Sequence, residues 1–262
     1  MNHDTIRIDM DPRGVATLWL ARPDRHNALS AAMIAELTDA AARLGADGAV
    51  RAVILAAEGP TFCAGADLNW MREQIAADAA TRRAAARALA DMLMALNMLP
   101  KPLIGRVQGN AFGGGVGMMA VCDTVVAARD ARFGLTETRL GLIPATIGPY
   151  VLARMGEGKA RRIFMSGRIF GAEEAVALDL VARLADIEDL AQAAEDEVAP
   201  YLHCAPGAVA EAKRLARDLG PRIDAGVIEG SIDRLVAIWE GDEAPEGIAA
   251  FFDRRGPRWR QG

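Results

Sequence analysis

Short apolar runs alternate with longer amphipathic segments through the first half of the chain. Runs at 6–10 and 15–20 flank the turn-forming residues Asp11-Pro12-Arg13-Gly14, which predicts an antiparallel hairpin. Ser30 is a suitable N-cap for the helix that follows. The pattern then predicts helices at 30–44, 76–97 and 114–122, and strands at 52–57, 103–107, 124–128 and 131–133. Strands alternating with crossover helices are typical of a mostly parallel sheet in an α/β fold.

The second half of the chain is predominantly helical in its periodicity. One strand-like run at 180–184 interrupts predicted helices at 147–155, 158–165, 172–177, 187–203, 206–219, 225–239 and 245–252. We therefore divide the chain into an α/β core, residues 1–195, and a helical C-terminal region, residues 196–262. The apolar positions Ile228, Ile232, Leu235 and Trp239 fit an internal core and a subunit interface equally well.

Composition and charge narrow the class of protein. The chain has 262 residues, is 52% hydrophobic and carries a net charge of −5, so no clustered basic face for nucleic acid is expected. No apolar run reaches the roughly 18 to 20 residues that span a bilayer. Three cysteines at no metal-like spacing indicate neither a disulfide framework nor a metal site. We expect a cytoplasmic protein that binds neither membranes nor nucleic acid.

A glycine run, Gly113-Gly114-Gly115-Val116-Gly117, precedes the predicted helix at 114–122. Uncovered N–H groups at a helix N-terminus stabilise negative charge. Glu137 follows twenty residues after Gly117 and is a candidate proton carrier if the chain folds back onto the glycines. Oxyanion donors beside one carboxylate suggest the chemistry of an enolate.

The same run admits a second interpretation. Gly115-Val116-Gly117-Met118-Met119-Ala120 satisfies the dinucleotide pattern G-x-G-x-x-A, with Glu137 near the distance of a ribose-binding acid. Such fingerprints stand at the first strand–helix turn of a βαβ unit, whereas this one arrives after a hundred residues. The dinucleotide interpretation is therefore the weaker of the two.

A loop of small residues, Cys63-Ala64-Gly65-Ala66, follows the strand predicted at 52–57. Ligands bind at this edge of an open α/β sheet, although a plain strand-to-helix turn is the simpler explanation of the loop taken alone. Cys63 has no basic neighbour in sequence, so we expect a buried small side chain and not a nucleophile.

Taken together, these segments resemble the crotonase superfamily of enoyl-CoA hydratases and isomerases. The matching pieces are residues 22–30, 62–68, 101–109, Gly113-Gly114-Gly115, Cys122-Asp123, Phe133-Gly134 with Glu137, and 141–144. The resemblance implies a crotonase (ClpP-like) spiral of ββα units whose helical C-terminal region builds trimers, commonly stacked as hexamers. It also implies an acyl-CoA thioester as ligand and no separate cofactor, since coenzyme A is part of the substrate.

The resemblance also implies roles for individual residues. The backbone N–H groups of Ala66 and Gly114 would form the oxyanion hole, and Glu137 would be the catalytic carboxylate. Contacts to the substrate and its coenzyme A are expected from Arg25, Ala28, Ala64, Gly65, Asp67, Leu68, Phe112, Gly113 and Thr136. Arg22 and Arg25 could hold phosphates or be solvated turn residues. The tail at 251–259 resembles the segment that reaches the adenine and phosphates.

One departure from the family pattern bears on the reaction. Typical enoyl-CoA hydratases carry two glutamates, but this chain has Gly117 at the first position and no acid from Gly109 to Cys122. We expect the missing side chain to leave empty space, either for the acyl group or for neighbouring backbone. A single Glu137 fits a double-bond isomerase, a hydratase, or an acyl-CoA-binding protein without activity.

Among these possibilities we prefer a hydratase. Residues 136–151 and the glycine at position 117 resemble the bacterial methylglutaconyl-CoA hydratase branch, which predicts a branched and carboxylated acyl group. Arg139 is a candidate partner for that carboxylate, with a surface salt bridge as its alternative.

Overall fold

The computed structural model describes residues 3–260. Its strands are β1 (Ile6–Met10), β2 (Val15–Leu20), β3 (Ala52–Ala57), β4 (Thr61–Cys63), β5 (Leu103–Val107), β6 (Asn110–Phe112), β7 (Thr124–Ala128), β8 (Arg132–Gly134), β9 (Ile169–Gly171) and β10 (Arg183–Ala185). Its helices are α1 (Ala31–Ala46), α2 (Leu68–Ala76), α3 (Ala79–Asn97), α4 (Gly114–Val121), α5 (Gly148–Met155), α6 (Glu157–Phe164), α7 (Ala172–Ala177), α8 (Leu190–Leu202), α9 (Pro206–Leu219), α10 (Ala225–Trp239) and α11 (Glu243–Phe252).

The larger sheet has the strand order β1-β2-β3-β5-β7-β10. The predicted hairpin is confirmed, because β1 and β2 pair antiparallel, while the remaining pairs are parallel. Parallel strands are covered on both faces and read as continuous apolar runs, and every residue of β3 is buried. On one face, Ala194 and Val198 of α8 pack against Ile54 of β3.

The smaller sheet, with the order β4-β6-β8-β9, positions the site. Each of β4, β6 and β8 follows a strand of the larger sheet after a few residues, and these three strands run parallel to one another. The chain therefore repeats a strand–strand unit, followed after β4 and β6 by helices. This arrangement and the helical C-terminal region confirm the expected α/β class.

The elements that the sequence pattern missed are short or interrupted. Strands β4, β6 and β9 are three residues each, too short for a period to be visible. The helix expected at 76–97 is α3, which begins at Ala79 because Asp78 accepts a hydrogen bond from the Thr81 N–H. The preceding helix α2 was not predicted. The strand expected at 180–184 lies at Arg183–Ala185. Residue 195 falls within α8, so the division between residues 1–195 and 196–262 stays a prediction.

Within residues 3–260, no helix is long and apolar enough to cross a bilayer.

Candidate active site

Two loops meet at the carboxyl ends of β4 and β6. Because these strands pair in parallel, Ala64-Gly65-Ala66 after β4 lies beside Gly113-Gly114 after β6. Gly65 has φ +93°, and a Cβ built there would lie 3.0 Å from the Phe112 carbonyl oxygen and 3.8 Å from the Gly114 nitrogen. The close approach of the two loops therefore requires glycine at position 65.

The backbone N–H groups of Ala66 and Gly114 are available as donors at this junction. Gly114 is the first residue of α4, where an N–H has no intrahelical acceptor. Around Ala66, the Leu29 N–H donates to the Gly65 carbonyl and the Asp67 N–H donates to the Leu29 carbonyl. The turn, loop and cap hydrogen bonds between described residues include none from the Ala66 or Gly114 N–H. The expected oxyanion donors are thus brought together with their hydrogens unpaired.

Glu137 reaches the same junction from the turn after β8. It begins a 3-10 turn, Glu137–Leu140, and a Cβ at Gly113 would lie 3.2 Å from its Oε1 atom. Its Oε2 atom is buried and accepts no hydrogen bond within the described residues. Burial raises the pKa of this carboxyl to about 7, because the ionised form loses its hydration.

A cavity of about 330 Å³ contains these groups. Its other polar side-chain groups are the hydroxyls of Thr136 and Thr146 and the indole N–H groups of Trp70 and Trp239. Glu137 is the only ionisable side chain among the described residues that line it. Leu68, Ile169 and Phe251 are exposed lining residues and mark the mouth. A carboxylate in such a low-dielectric pocket is suited to proton transfer near neutral pH.

Most of the expected site residues line this cavity, and three do not. Those in the lining are Ala64, Gly65, Ala66, Leu68, Phe112, Gly113, Gly114, Thr136 and Glu137. Those outside it are Arg25, Ala28 and Asp67.

The carboxylate of Asp67 accepts from the Asn69 and Trp70 N–H groups at the start of α2 and pairs with Arg22 at 3.0 Å. Arg22 also donates to the Ala28 carbonyl, and Arg25 is exposed beside Asp24. A contact between Arg25, Ala28 or Asp67 and the substrate stays a prediction.

The space beside Gly117 is not empty, which corrects the expectation from sequence. A Cβ at position 117 would lie 2.3 Å from Ile147 Cγ2 and 2.8 Å from Ile147 Cβ. Ile147 is buried and lines the cavity. The glycine therefore makes room for a neighbouring side chain and not for the substrate.

The other glycines of the run also face protein. A Cβ at Gly115 would lie 2.5 Å from the Cys63 carbonyl oxygen. Gly115 and Gly117 thus serve the packing of α4, which counts against the dinucleotide interpretation. Burial raises the pKa of the Cys63 thiol to about 12, in agreement with the expected buried, unreactive side chain.

The sequence missed the walls of the cavity far from the glycines. These come from α2, α3, α10, α11 and the loop before α5, and include Trp70, Met71, Leu89, Leu140, Leu142, Ile143, Thr146, Ile147, Leu235, Trp239 and Phe251. The apolar spacing of Leu235 and Trp239 is visible in sequence, but spacing alone does not say which surface a helix covers. Phe251 and Leu140 also line a neighbouring cavity of about 570 Å³ with Arg139, Arg255, Trp259 and Arg260.

Comparisons with known proteins agree with this fold. The family model for enoyl-CoA hydratase/isomerase matches residues 11–262. A putative enoyl-CoA hydratase of Thermus thermophilus is 34% identical over 96% of this chain and 100% of its own length. The probable enoyl-CoA hydratase echA8 of Mycobacterium bovis is 33% identical over 99% of both chains. A crystal structure of an enoyl-CoA hydratase from Shewanella pealeana superposes with a TM-score of 0.81 at 36% identity, covering 98% of this chain and 96% of that one.

A spiral of strand–strand units with unpaired N–H donors at one junction defines the crotonase class of fold. The chain belongs to the enoyl-CoA hydratase/isomerase family of the crotonase superfamily.

Proposed function

We propose that the protein is an enoyl-CoA hydratase that adds water to the C2=C3 bond of a 2-enoyl-CoA. The observation that carries the proposal is the junction where the loops at 64–66 and 113–114 meet Glu137. A buried carboxylate without a partner lies beside two unpaired backbone N–H groups in one apolar cavity. The names of the relatives support hydration.

In the proposed reaction, the thioester oxygen lies between the Ala66 and Gly114 N–H groups. Glu137 takes a proton from water as the water oxygen bonds to C3, and the electron pair of the double bond moves to form the thioester enolate. The enolate then takes that proton at C2 from Glu137, which regenerates the carboxylate. Preorganised donors stabilise the enolate as its charge develops, and losing one typically costs about 100- to 1000-fold in rate.

Double-bond isomerisation is the second candidate, and one observation favours it. Ile147 occupies the space beside Gly117, so no second carboxylate reaches the acyl group from α4. A lone Glu137 could take a proton from C2 of a 3-enoyl-CoA and return it at C4. An acyl-CoA-binding protein without turnover is the third candidate.

The side chains that line the cavity bear on whether the acyl group carries a charge. A 3-methylglutaconyl group, suggested by the resemblance of residues 136–151, needs a cation for its second carboxylate. No cationic side chain is among the described residues that line the cavity. Arg139 lies instead in the neighbouring cavity with Arg255 and Arg260. An uncharged acyl group is therefore favoured, and the arginine-lined cavity supports contacts between the C-terminal tail and the phosphates of coenzyme A.

We also propose that the protein is a cytoplasmic homotrimer or hexamer built through its C-terminal helices, with no cofactor beyond the coenzyme A of its substrate. The exposed Leu215 and Leu219 of α9 support an interface there. Light scattering coupled to size exclusion measures the mass; a monomer at micromolar concentration contradicts the assembly.

The test of function follows three thioesters by absorbance and by chromatography of the products: crotonyl-CoA, 3-methylglutaconyl-CoA and a 3-enoyl-CoA. We expect hydration of crotonyl-CoA to exceed both other reactions. Glu137→Gln should lower its kcat by about 1000-fold, in the range of lost general acid–base catalysis, with KM little changed.

Each alternative outcome identifies a different function. Faster conversion of the 3-enoyl-CoA identifies an isomerase. Faster hydration of 3-methylglutaconyl-CoA supports a carboxylated acyl group as the substrate. Binding of all three without turnover leaves an acyl-CoA-binding protein. Undiminished hydration by Glu137→Gln removes that residue from the mechanism.

A further inference from the structure

The loop before α5 contributes a second polar group to the cavity lining, the hydroxyl of Thr146. Thr146 is 5% exposed and lines the cavity. Its hydroxyl makes no hydrogen bond with any residue from 3 to 260. The hydroxyl oxygen is not fully shielded from solvent, and its residue lines the cavity.

The backbone holds Thr146 in a fixed turn. The Gly148 N–H donates to the Ala145 carbonyl at 3.0 Å and closes the turn around residues 146 and 147. The adjacent Ile147 packs against Gly117 of α4. Thr146 thus belongs to the same segment that fills the place of the missing carboxylate, and it faces the cavity from a different element than Glu137.

A water in an apolar cavity needs more than one polar partner. Buried waters typically make about three hydrogen bonds, and a threonine hydroxyl both donates and accepts. Glu137 Oε1, the carboxylate oxygen beside Gly113, can supply one bond. The other side-chain hydroxyl of the described lining belongs to Thr136, which adjoins Glu137 on one segment and is only partly buried. Thr146 is the lining hydroxyl that can hold the water from a second direction.

We propose that Thr146 is a catalytic residue that holds the attacking water jointly with Glu137, in place of a second carboxylate. The inference rests on the proposed hydratase function. In the hydration step, Thr146 Oγ1 accepts a hydrogen bond from the water proton that stays on oxygen. The other water proton passes to Glu137 and then to C2, so Thr146 gains and loses no proton overall.

The experiment compares Thr146→Val, which keeps the shape without the hydroxyl, with Thr146→Ser, which keeps the hydroxyl. Hydration of crotonyl-CoA is measured beside C2 proton exchange of the saturated butyryl-CoA in D2O, followed by NMR. Exchange needs Glu137 and the oxyanion donors but no attacking water. It therefore reports whether the rest of the site is intact.

We expect Thr146→Val to lower kcat for hydration by about 10- to 100-fold with KM little changed, below the full effect of a general base. Thr146→Ser should stay within about threefold, since one hydroxyl hydrogen bond is preserved. Proton exchange should stay near the wild-type rate in both variants. Glu137→Gln should lose both reactions.

Three outcomes overturn the inference. If Thr146→Val hydrates at the wild-type rate, Thr146 does not hold the water, although the hydratase function stands. If that variant loses exchange as much as hydration, the role of Thr146 is structural. If the wild-type protein exchanges the C2 proton but hydrates nothing, the proposed function fails and this inference fails with it.

Discussion

Gly114 and Gly117 lie one turn apart on α4, and the missing side chain serves a different neighbour at each position. At Gly114 a Cβ would approach Leu29 Cδ1 at 2.7 Å and the Gly65 backbone at 3.9 Å. At Gly117 it would meet Ile147 Cγ2 at 2.3 Å. The first glycine belongs to the catalytic junction, where two backbones meet. The second belongs to a packing contact between α4 and the residue that precedes α5. A glycine in a sequence therefore indicates a close approach, but not what approaches.

Gly113→Ala should have the largest effect on the rate of hydration, because Gly113 lies between the Gly114 N–H and the Glu137 carboxylate at the proposed catalytic junction. The residue has φ +49°, and its new Cβ would press on the Glu137 carboxylate. We expect kcat for hydration to fall by about 100- to 1000-fold, as for the loss of an oxyanion donor.

Gly156→Ala is the matched control for that substitution. Gly156 has φ +71°, and no atom lies within 4 Å of a Cβ built there. An alanine at this position therefore has the backbone strain without a new contact. It should cost about 1 kcal/mol in the free energy of unfolding and leave kcat nearly unchanged. Equal losses of kcat in both variants would mean that strain, and not the carboxylate contact, explains the Gly113 result.

The pH dependence of the rate should also arise at the junction. Glu137 must be ionised to take a proton from water, and burial raises its pKa to about 7. We expect kcat/KM to fall about tenfold per pH unit below 7 and to level off above it, as for a single essential base. Stopped-flow measurement from pH 5 to 9 gives the profile. A plateau that extends down to pH 5 contradicts a buried base.

The same carboxyl should link stability to pH. Its pKa rises from 4.5 in the unfolded chain to about 7 in the folded one, so the folded state holds the proton more tightly between these values. The contribution of this carboxyl to the free energy of unfolding is therefore greatest below pH 4.5. It decreases as pH rises, by about 3 kcal/mol once pH exceeds 7.

Glu137→Gln removes this dependence. Denaturant unfolding at pH 5 and pH 8 should show the variant gaining about 2.5 kcal/mol relative to wild type at the higher pH, the part of the pKa effect that falls between these values. A constant difference between the two proteins at both pH values contradicts the shifted pKa. The apolar contact of Gly117 with Ile147 should contribute nothing to this pH dependence of stability.

The packing contact should respond in stability more than in rate. Gly117→Ala should cost about 1 to 3 kcal/mol by overpacking against Ile147. The double variant Gly117→Ala/Ile147→Ala should be more stable than the sum of its single variants implies, because Ile147 Cγ2, the atom closest to the new Cβ, is removed. Additive losses in thermal or denaturant unfolding would show that the two residues do not compete for one space.

The sequence predicted the junction well because its signals are local. Glycines at 65, 113 and 114 mark close backbone approach, and the alternation of strands and helices indicated the parallel sheets that bring them together. Glu137 was identified as a lone acid, and the structure places it against Gly113.

The residues that the sequence did not identify depend on contacts between distant segments. Ile147 meets Gly117 only because α5 packs on α4, and no local pattern encodes that meeting. The three-residue strands β4, β6 and β9 fall below the length at which a period can be recognised. The family resemblance implies a ligand contact for Asp67, and that contact stays a prediction. In the structure its carboxylate is paired with Arg22 and starts α2.

The cavity walls contributed by α10 and α11 have a further consequence. Leu235, Trp239 and Phe251 belong to the last forty residues, whereas the oxyanion donors and Glu137 belong to the spiral. α10 is attached to α3 by ion pairs of Arg83 with Glu229 and Asp233. For the proposed hydratase, substitutions in the last helices should alter which acyl chain fits without moving the proposed catalytic groups. The choice of acyl group and the chemistry would then be encoded in separate parts of the chain.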